Sequence, residues 1–136
     1  MKILHPSGWK SARGYANGIA ARGTLVFIGG QIGWNAAQQF ESDDFVAQAK
    51  TALANVVAVL AEANGRPEHI VRMTWYVVDK REYLAAQPAL GVAYRDASFE
   101  VGHGVGIAAG LGDRDAMDRS VELPVAGARK PVVRAC

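Results

Sequence analysis

The segment Gly29-Gly30-Gln31-Ile32-Gly33 is the first place in this chain where chemistry is conceivable. Glycine has no side chain, so a ligand can approach the backbone N–H groups of such a segment closely. Trp34 follows directly and is the tryptophan best placed to face a ligand, whereas Trp75 lies in a core-like run and is read as packing. The three histidines, His5, His69 and His103, have no second His, Cys or carboxylate at metal-ligand spacing, so no metal centre is expected. No Gly-x-Ser-x-Gly elbow surrounds any serine, which argues against a hydrolytic triad. The run Gly102-His103-Gly104-Val105-Gly106 lacks both the dinucleotide-loop spacing and the Walker lysine.

Composition narrows the class. The chain has 136 residues, half of them hydrophobic and 21% charged, which fits one globular domain over residues 1–136 and not a disordered one. The formal charge of +2 is small and the basic residues are scattered, so no nucleic-acid partner is expected. The closest basic cluster, Arg129, Lys130 and Arg134, reads as a solvated tail. The only cysteine is Cys136, which excludes an internal disulfide and fits a reducing compartment. No stretch approaches 18 uninterrupted apolar residues, and the N-terminus lacks the apolar run of a signal peptide. A cytoplasmic protein without a membrane segment is expected.

The elements that would position the glycine segment follow from periodicity. Residues 15–21 and 24–28 predict two strands joined at Arg22-Gly23, the second covered on both faces because Leu25, Val26, Phe27 and Ile28 are all apolar. A polar loop then runs to Glu41. Ser42 or Asp43 is expected to cap a helix reaching Ala63 and closed by Gly65. Its stripe is Phe45, Ala49, Ala52, Leu53, Val56, Leu60 and Ala63, with Gln48, Lys50, Asn55 and Glu62 mostly off it. Residues 70–78 read as a central strand, and residues 83–97 as a helix restarting at Pro88. Two further strands are expected beyond Phe99, one of them over residues 120–125. Helices on one face of a mixed sheet would leave the other face uncovered, which predicts oligomerisation through it.

Specific residues sharpen this outline. Gly14-Tyr15-Ala16-Asn17-Gly18, Leu25-Val26-Phe27-Ile28-Gly29-Gly30-Gln31-Ile32, Gln48, Asn55-Val56-Val57-Ala58-Val59-Leu60, Ile70-Val71-Arg72-Met73-Thr74-Trp75-Tyr76-Val77-Val78-Asp79 and Ala93-Tyr94-Arg95 together resemble the RidA/YjgF family. The resemblance covers about residues 12–99. It implies an α+β, chorismate-mutase-like fold of order β-β-α-β-α-β-β, with two helices on one face of a mixed sheet. It also implies a homotrimer with clefts between subunits.

The members of that family with the best understood activity hydrolyse reactive enamines and imines derived from amino acids, giving a 2-keto acid and ammonia with no metal or organic cofactor. The resemblance therefore implies that activity or, as the alternative, a non-catalytic trimer that binds a small metabolite. RNA cleavage, also attached to some relatives, finds neither a basic stripe nor a suitable histidine pair here. The family's carboxylate-binding arginine falls near His103, its serine before the Gly-Gln pair is Gly29, and its second-helix asparagine falls near Gly91. Its last-strand glutamate falls near Asp118 or Arg119, which makes Asp118 the catalytic candidate. Tyr15, Gly30, Gln31 and His103 are the candidate substrate-binding residues. Residues 101–136 are atypical of the family. Plausible codons for residues 102–107, read one base over, give Gly-Met-Ala-Leu-Val, and Asp118-Arg119-Ser120 can yield Ile-Glu-Val. Local frameshifts, with residues 108–117 still in frame, are the hypothesis, to be decided by DNA sequencing and intact mass; if residues 101–107 prove correct and form a regular paired strand, its motive is lost.

Overall fold

The structure is a computed structural model that describes residues 1–12, 15–96, 104–109 and 133–135, the last two segments as backbone. It is an α+β chain with the element order β1 (Lys2–Leu4), β2 (Gly18–Ala20), β3 (Gln31–Ile32), α1 (Phe45–Glu62), β4 (Arg72–Val77), α2 (Lys80–Asp96), β5 (Gly104–Ala109) and β6 (Val133–Ala135). A four-stranded mixed sheet has the order β3-β6-β4-β5, and β1 and β2 form a separate antiparallel pair.

Helix α1 starts where Asp44 turns extended and its Oδ1 accepts the Ala47 N–H at 2.7 Å, so the cap is Asp44 and not Ser42 or Asp43. Ser42 supports the cap by accepting the Asp44 N–H on Oγ at 3.0 Å. At the other end Asn64, at φ 54°, takes the left-handed position expected of Gly65. The Asn64 and Gly65 N–H groups then donate back to Ala61 and Leu60. Gly65 is needed for space instead: a Cβ there would lie 2.4 Å from Leu60 Cδ1.

One face of α1 and one face of α2 bury against β4. The core unites Phe45, Ala49, Ala52, Leu53 and Val56 with Met73, Trp75 and Val77 and with Ala86, Leu90 and Ala93. Burying a large side chain of this kind contributes roughly 1.5–3 kcal/mol. By length and composition α1 would also pass as a membrane span, but seven of its residues, Gln48 among them, are buried in the protein. Strand β4 lies inside the sheet, as expected of a central strand, but only one of its two largely apolar sides is buried: Met73, Trp75 and Val77 are covered while Arg72 and Tyr76 are exposed.

Helix α2 begins at Asp79, whose Oδ1 accepts the Arg81 N–H at 2.7 Å and whose carboxylate takes the Arg81 guanidinium at 2.8 Å. The hydrogen bond from the Arg81 side chain, ahead of that from its backbone N–H, holds the Asp79 carboxyl down at about 2. Pro88 sits inside one continuous helix, so the expected restart there is wrong. Because β4 and β5 run parallel, a crossover must join them, and α2 lies in that connection.

Four further expectations fail. Residues 24–28 form no strand and no hairpin with residues 15–21; Leu25 and Phe27 are 75% and 89% exposed, and only Ile28 packs against the core. Strand β2 instead pairs with β1, with Ile3 opposite Ile19, and the order becomes β-β-β-α-β-α-β-β. His5 braces this pair by donating from Nε2 to the Trp9 carbonyl at 3.0 Å and accepting from Asn17 on Nδ1 at 2.9 Å. The C-terminal tail contributes β6, which lies between β3 and β4 with Arg134 in register with both Ile32 and Tyr76. Gln48, placed off the apolar stripe by periodicity, is 1% exposed.

Gly104–Ala109 pairs residue for residue with β4, from Arg72↔Gly104 to Val77↔Ala109. Glycines weaken a strand but permit close backbone approach. The strand is regular and paired over residues 104–109; the frameshift hypothesis, which concerns residues 102–107 and 118–120, rests on DNA sequencing and intact mass. Residues 101–103, 118–120 and 120–125 lie outside the described residues.

Candidate functional site

The glycine segment occupies one edge of the four-stranded sheet. Gln31 and Ile32 pair with Ala135 and Arg134, and β3 pairs with no described strand on its outer side. An edge strand leaves N–H and C=O groups available to a ligand or to another chain. Gly30 is half-buried and Gly29 exposed, and the Gln31 side chain folds back so that Nε2 donates to the Gly29 carbonyl at 3.0 Å.

Helix α1 holds this segment from below. Gly33 is buried with so little clearance that a Cβ would stand 2.6 Å from Gln48 Cβ and 2.7 Å from Gln48 Cα. On either side of Gly33, the Ile32 and Trp34 carbonyls accept from Asn55 Nδ2 at 3.1 and 2.9 Å. Only the amide nitrogen can donate to two carbonyls, so the orientation of Asn55 is fixed by its partners. Gln48 Nε2 donates to the Ser42 carbonyl at 2.9 Å and ties down the far end of the same loop. Gln48 and Asn55 are seven residues apart, two helical turns, which brings both amides to one side of α1.

Between these anchors the chain makes a small closed flap. Trp34 and Phe40 form an antiparallel bridge, with ring centroids 6.5 Å apart and planes tilted by 37°. Asn35 organises the turn. Its Oδ1 accepts the Ala37 and Gln39 N–H groups at 2.9 and 3.1 Å, and its Nδ2 donates to Glu41 at 2.8 Å. Gln38 takes φ 59°, one of two non-glycine residues with positive φ among those described. The loop read as merely polar is thus a built structure with Trp34 at its base.

Of the candidate residues, Gly30 and Gln31 come together on β3 and the residue before it. Tyr15 is exposed, and no hydrogen bond joins it to either of them among the described residues. His103 and Asp118 lie outside the described residues. His69 has a local structural role: its Nδ1 accepts the Arg66 N–H at 3.2 Å and closes the short 3₁₀ turn Pro67–His69. Sequence reasoning missed Asn55 as an anchor, because its partners lie 23 and 21 residues away in the chain.

Residues 7–108 match the family model described as Endoribonuclease L-PSP. The chain belongs to the YjgF/RidA family. Solved structures agree on the YjgF/Rid fold. A protein of unknown function of the conserved Rid family, YyfB from Yersinia pestis, is 22% identical over 98% of this chain and 93% of its own, with a TM-score of 0.64. RidA from an Antarctic Psychrobacter is 20% identical over 87% and 89% of the two chains, with a TM-score of 0.56. Yeast Mmf1 is 14% identical over 78% and 70%, with a TM-score of 0.57. No relative is found among curated proteins. At these identities the neighbours establish the fold alone.

Proposed function

We propose that this chain acts as a homotrimer of the chorismate-mutase-like kind, whose interfacial clefts hydrolyse small enamine or imine intermediates to a 2-keto acid and ammonia. The observation that carries the reading is the β3 edge: Gln31 opens a strand with no partner on its outer side among the described residues, Gly30 stands just before it, and the exposed apolar residues Leu25, Val26 and Phe27 precede it closely in sequence. Apolar surface of this kind marks an interaction site, and a second subunit covering it would turn the open edge into a cleft. The sheet face bearing Arg72 and exposed Tyr76, opposite the helices, adds to the surface in need of cover.

In such a cleft, water adds to the imine carbon and a proton moves to nitrogen. The resulting carbinolamine expels ammonia and leaves the keto acid, so one water is consumed and no redox partner is required. Tyr15, Gly30, Gln31 and His103 are the proposed binding residues, with Gly30 and Gln31 N–H groups offered to the substrate carboxylate or carbonyl. Asp118 is the proposed base for the water. No metal or organic cofactor enters the scheme.

A second reading has its own support. Gly29, Gly91 and His103 stand where the family resemblance leads one to expect serine, asparagine and arginine, so groups used for turnover are replaced. Under that reading the cleft binds a metabolite and does not hydrolyse it. Light scattering tests the assembly common to both. The expected mass is about three times the 14.5 kDa chain, and Phe27→Asp is expected to shift it toward monomer. A wild-type monomer would remove the interfacial cleft.

A further inference from the structure

We propose that Asn55 is a positioning residue: its side-chain amide sets the shape of the ligand-facing segment around Gly30 and Gln31 without touching ligand. The inference rests on the reading of that segment as the binding edge, and it deepens that reading by naming what holds the edge in place.

The geometry is specific. Asn55 Nδ2 donates to the carbonyls of Ile32 and Trp34, the residues on either side of buried Gly33. The two bonds span from the last paired residue of β3 to the first residue of the flap closed by Trp34 and Phe40. Gln31 lies immediately before the first of these carbonyls, and its own side chain turns toward Gly29 and makes no bond to α1 among the described residues. The amide is therefore the polar tie nearest to the binding edge. Gln48, the other amide on that side of the helix, ties Ser42 at the far end of the loop.

Asn55 is also a poor choice for helix stability alone, since asparagine ranks well below alanine in a helix interior. Its presence at a half-buried helical position is explained by the two carbonyls it serves. An unpaired carbonyl is tolerated only where water reaches it, so without the amide the segment is expected to lift from α1 until both carbonyls are solvated. Gly30, Gln31 and the Trp34 ring would move with it.

Asn55→Ala tests the idea on the full chain, with two readouts. Hydrogen exchange of the amides in residues 31–41 is expected to accelerate at least tenfold, while residues 72–77 and 86–93 keep wild-type protection. Unchanged exchange in residues 31–41 would overturn the proposal, as would a uniform acceleration throughout, which marks a merely structural role. In imino-acid hydrolysis at a temperature where the variant is fully folded, KM is expected to rise about tenfold with kcat within twofold. A fall in kcat with wild-type KM would also overturn it. If the wild type shows no turnover, the hydrolytic reading fails by itself and the exchange pattern still decides the role of Asn55. Should N55A fail to fold, Asn55→Ser carries the same two readouts.

Discussion

Trp75→Ala is expected to cost about 3–5 kcal/mol of stability, the usual range for deleting a large buried aromatic. Trp75 is fully buried on the middle strand, with β5 on one side and β6 on the other. Its ring meets Tyr94 edge-on at 6.1 Å, so it links the sheet to α2 as well as filling the space beneath. The Tyr94 phenol is held well above its ordinary value, chiefly by burial and then by Tyr83, against a hydrogen bond involving Trp75 that works the other way. Domains of this size carry only about 5–15 kcal/mol in total, so the variant should lie near the limit of folding. At fixed protein concentration its thermal midpoint is expected to fall by on the order of 10–20 °C. A fall of less than a few degrees would mean that Trp75 is not the centre of the core.

The second large effect is expected from Gly33→Ala. The added methyl would meet Gln48 Cβ, Cα and carbonyl oxygen at 2.6, 2.7 and 2.8 Å. Two of those atoms are backbone of α1, so no rotamer change relieves the contact, and the loop must move off the helix. Overpacking of this kind costs about 1–3 kcal/mol, and the two hydrogen bonds from Asn55 add about 1 kcal/mol each if they break. Gly29→Ala is the control, because a Cβ there meets nothing within 4 Å. Denaturant midpoints should separate the two variants clearly, with Gly29→Ala close to wild type. Equal midpoints would show that the segment does not rest on Gln48. Gly33→Ala and Asn55→Ala disturb the same contact from opposite sides, so their costs should not add.

The elements that carry their own pattern were legible in the sequence. The stripe of α1 places Phe45, Ala49, Ala52, Leu53, Val56 and Leu60 in the core but fails at Ala63, which caps the helix end and is exposed, and the apolar run of residues 70–78 is an inner strand. Residues 24–28 misled because apolar character was read as burial within one chain, whereas Leu25 and Phe27 lie on the surface. Strands β1 and β6, three residues each, are too short to show a period, and β6 follows a basic, proline-containing stretch that reads as tail. Pro88 signals a helix boundary by its chemistry, yet packing by Ala86, Leu90 and Ala93 holds one helix through it.

The site was legible to a different degree. Gly30 and Gln31 were singled out by the family resemblance and by glycine's lack of a side chain, and their role as binding residues is the proposal made above. Asn55 was not, because its partners Ile32 and Trp34 lie 23 and 21 residues away, and no local rule links them. Asn35 was hidden for the opposite reason: its bonds to Ala37, Gln39 and Glu41 are local, but a polar stretch gives no sign of which residue organises it.

The most direct test of the functional account is hydrolysis of 2-imino acids generated in place by an amino-acid oxidase. The protein-dependent loss of a trapped imine adduct is followed beside an arginine-containing relative as control. Loss well above background is expected. No acceleration beside an active control would contradict the hydrolytic reading and leave a trimer that binds its metabolite without turning it over.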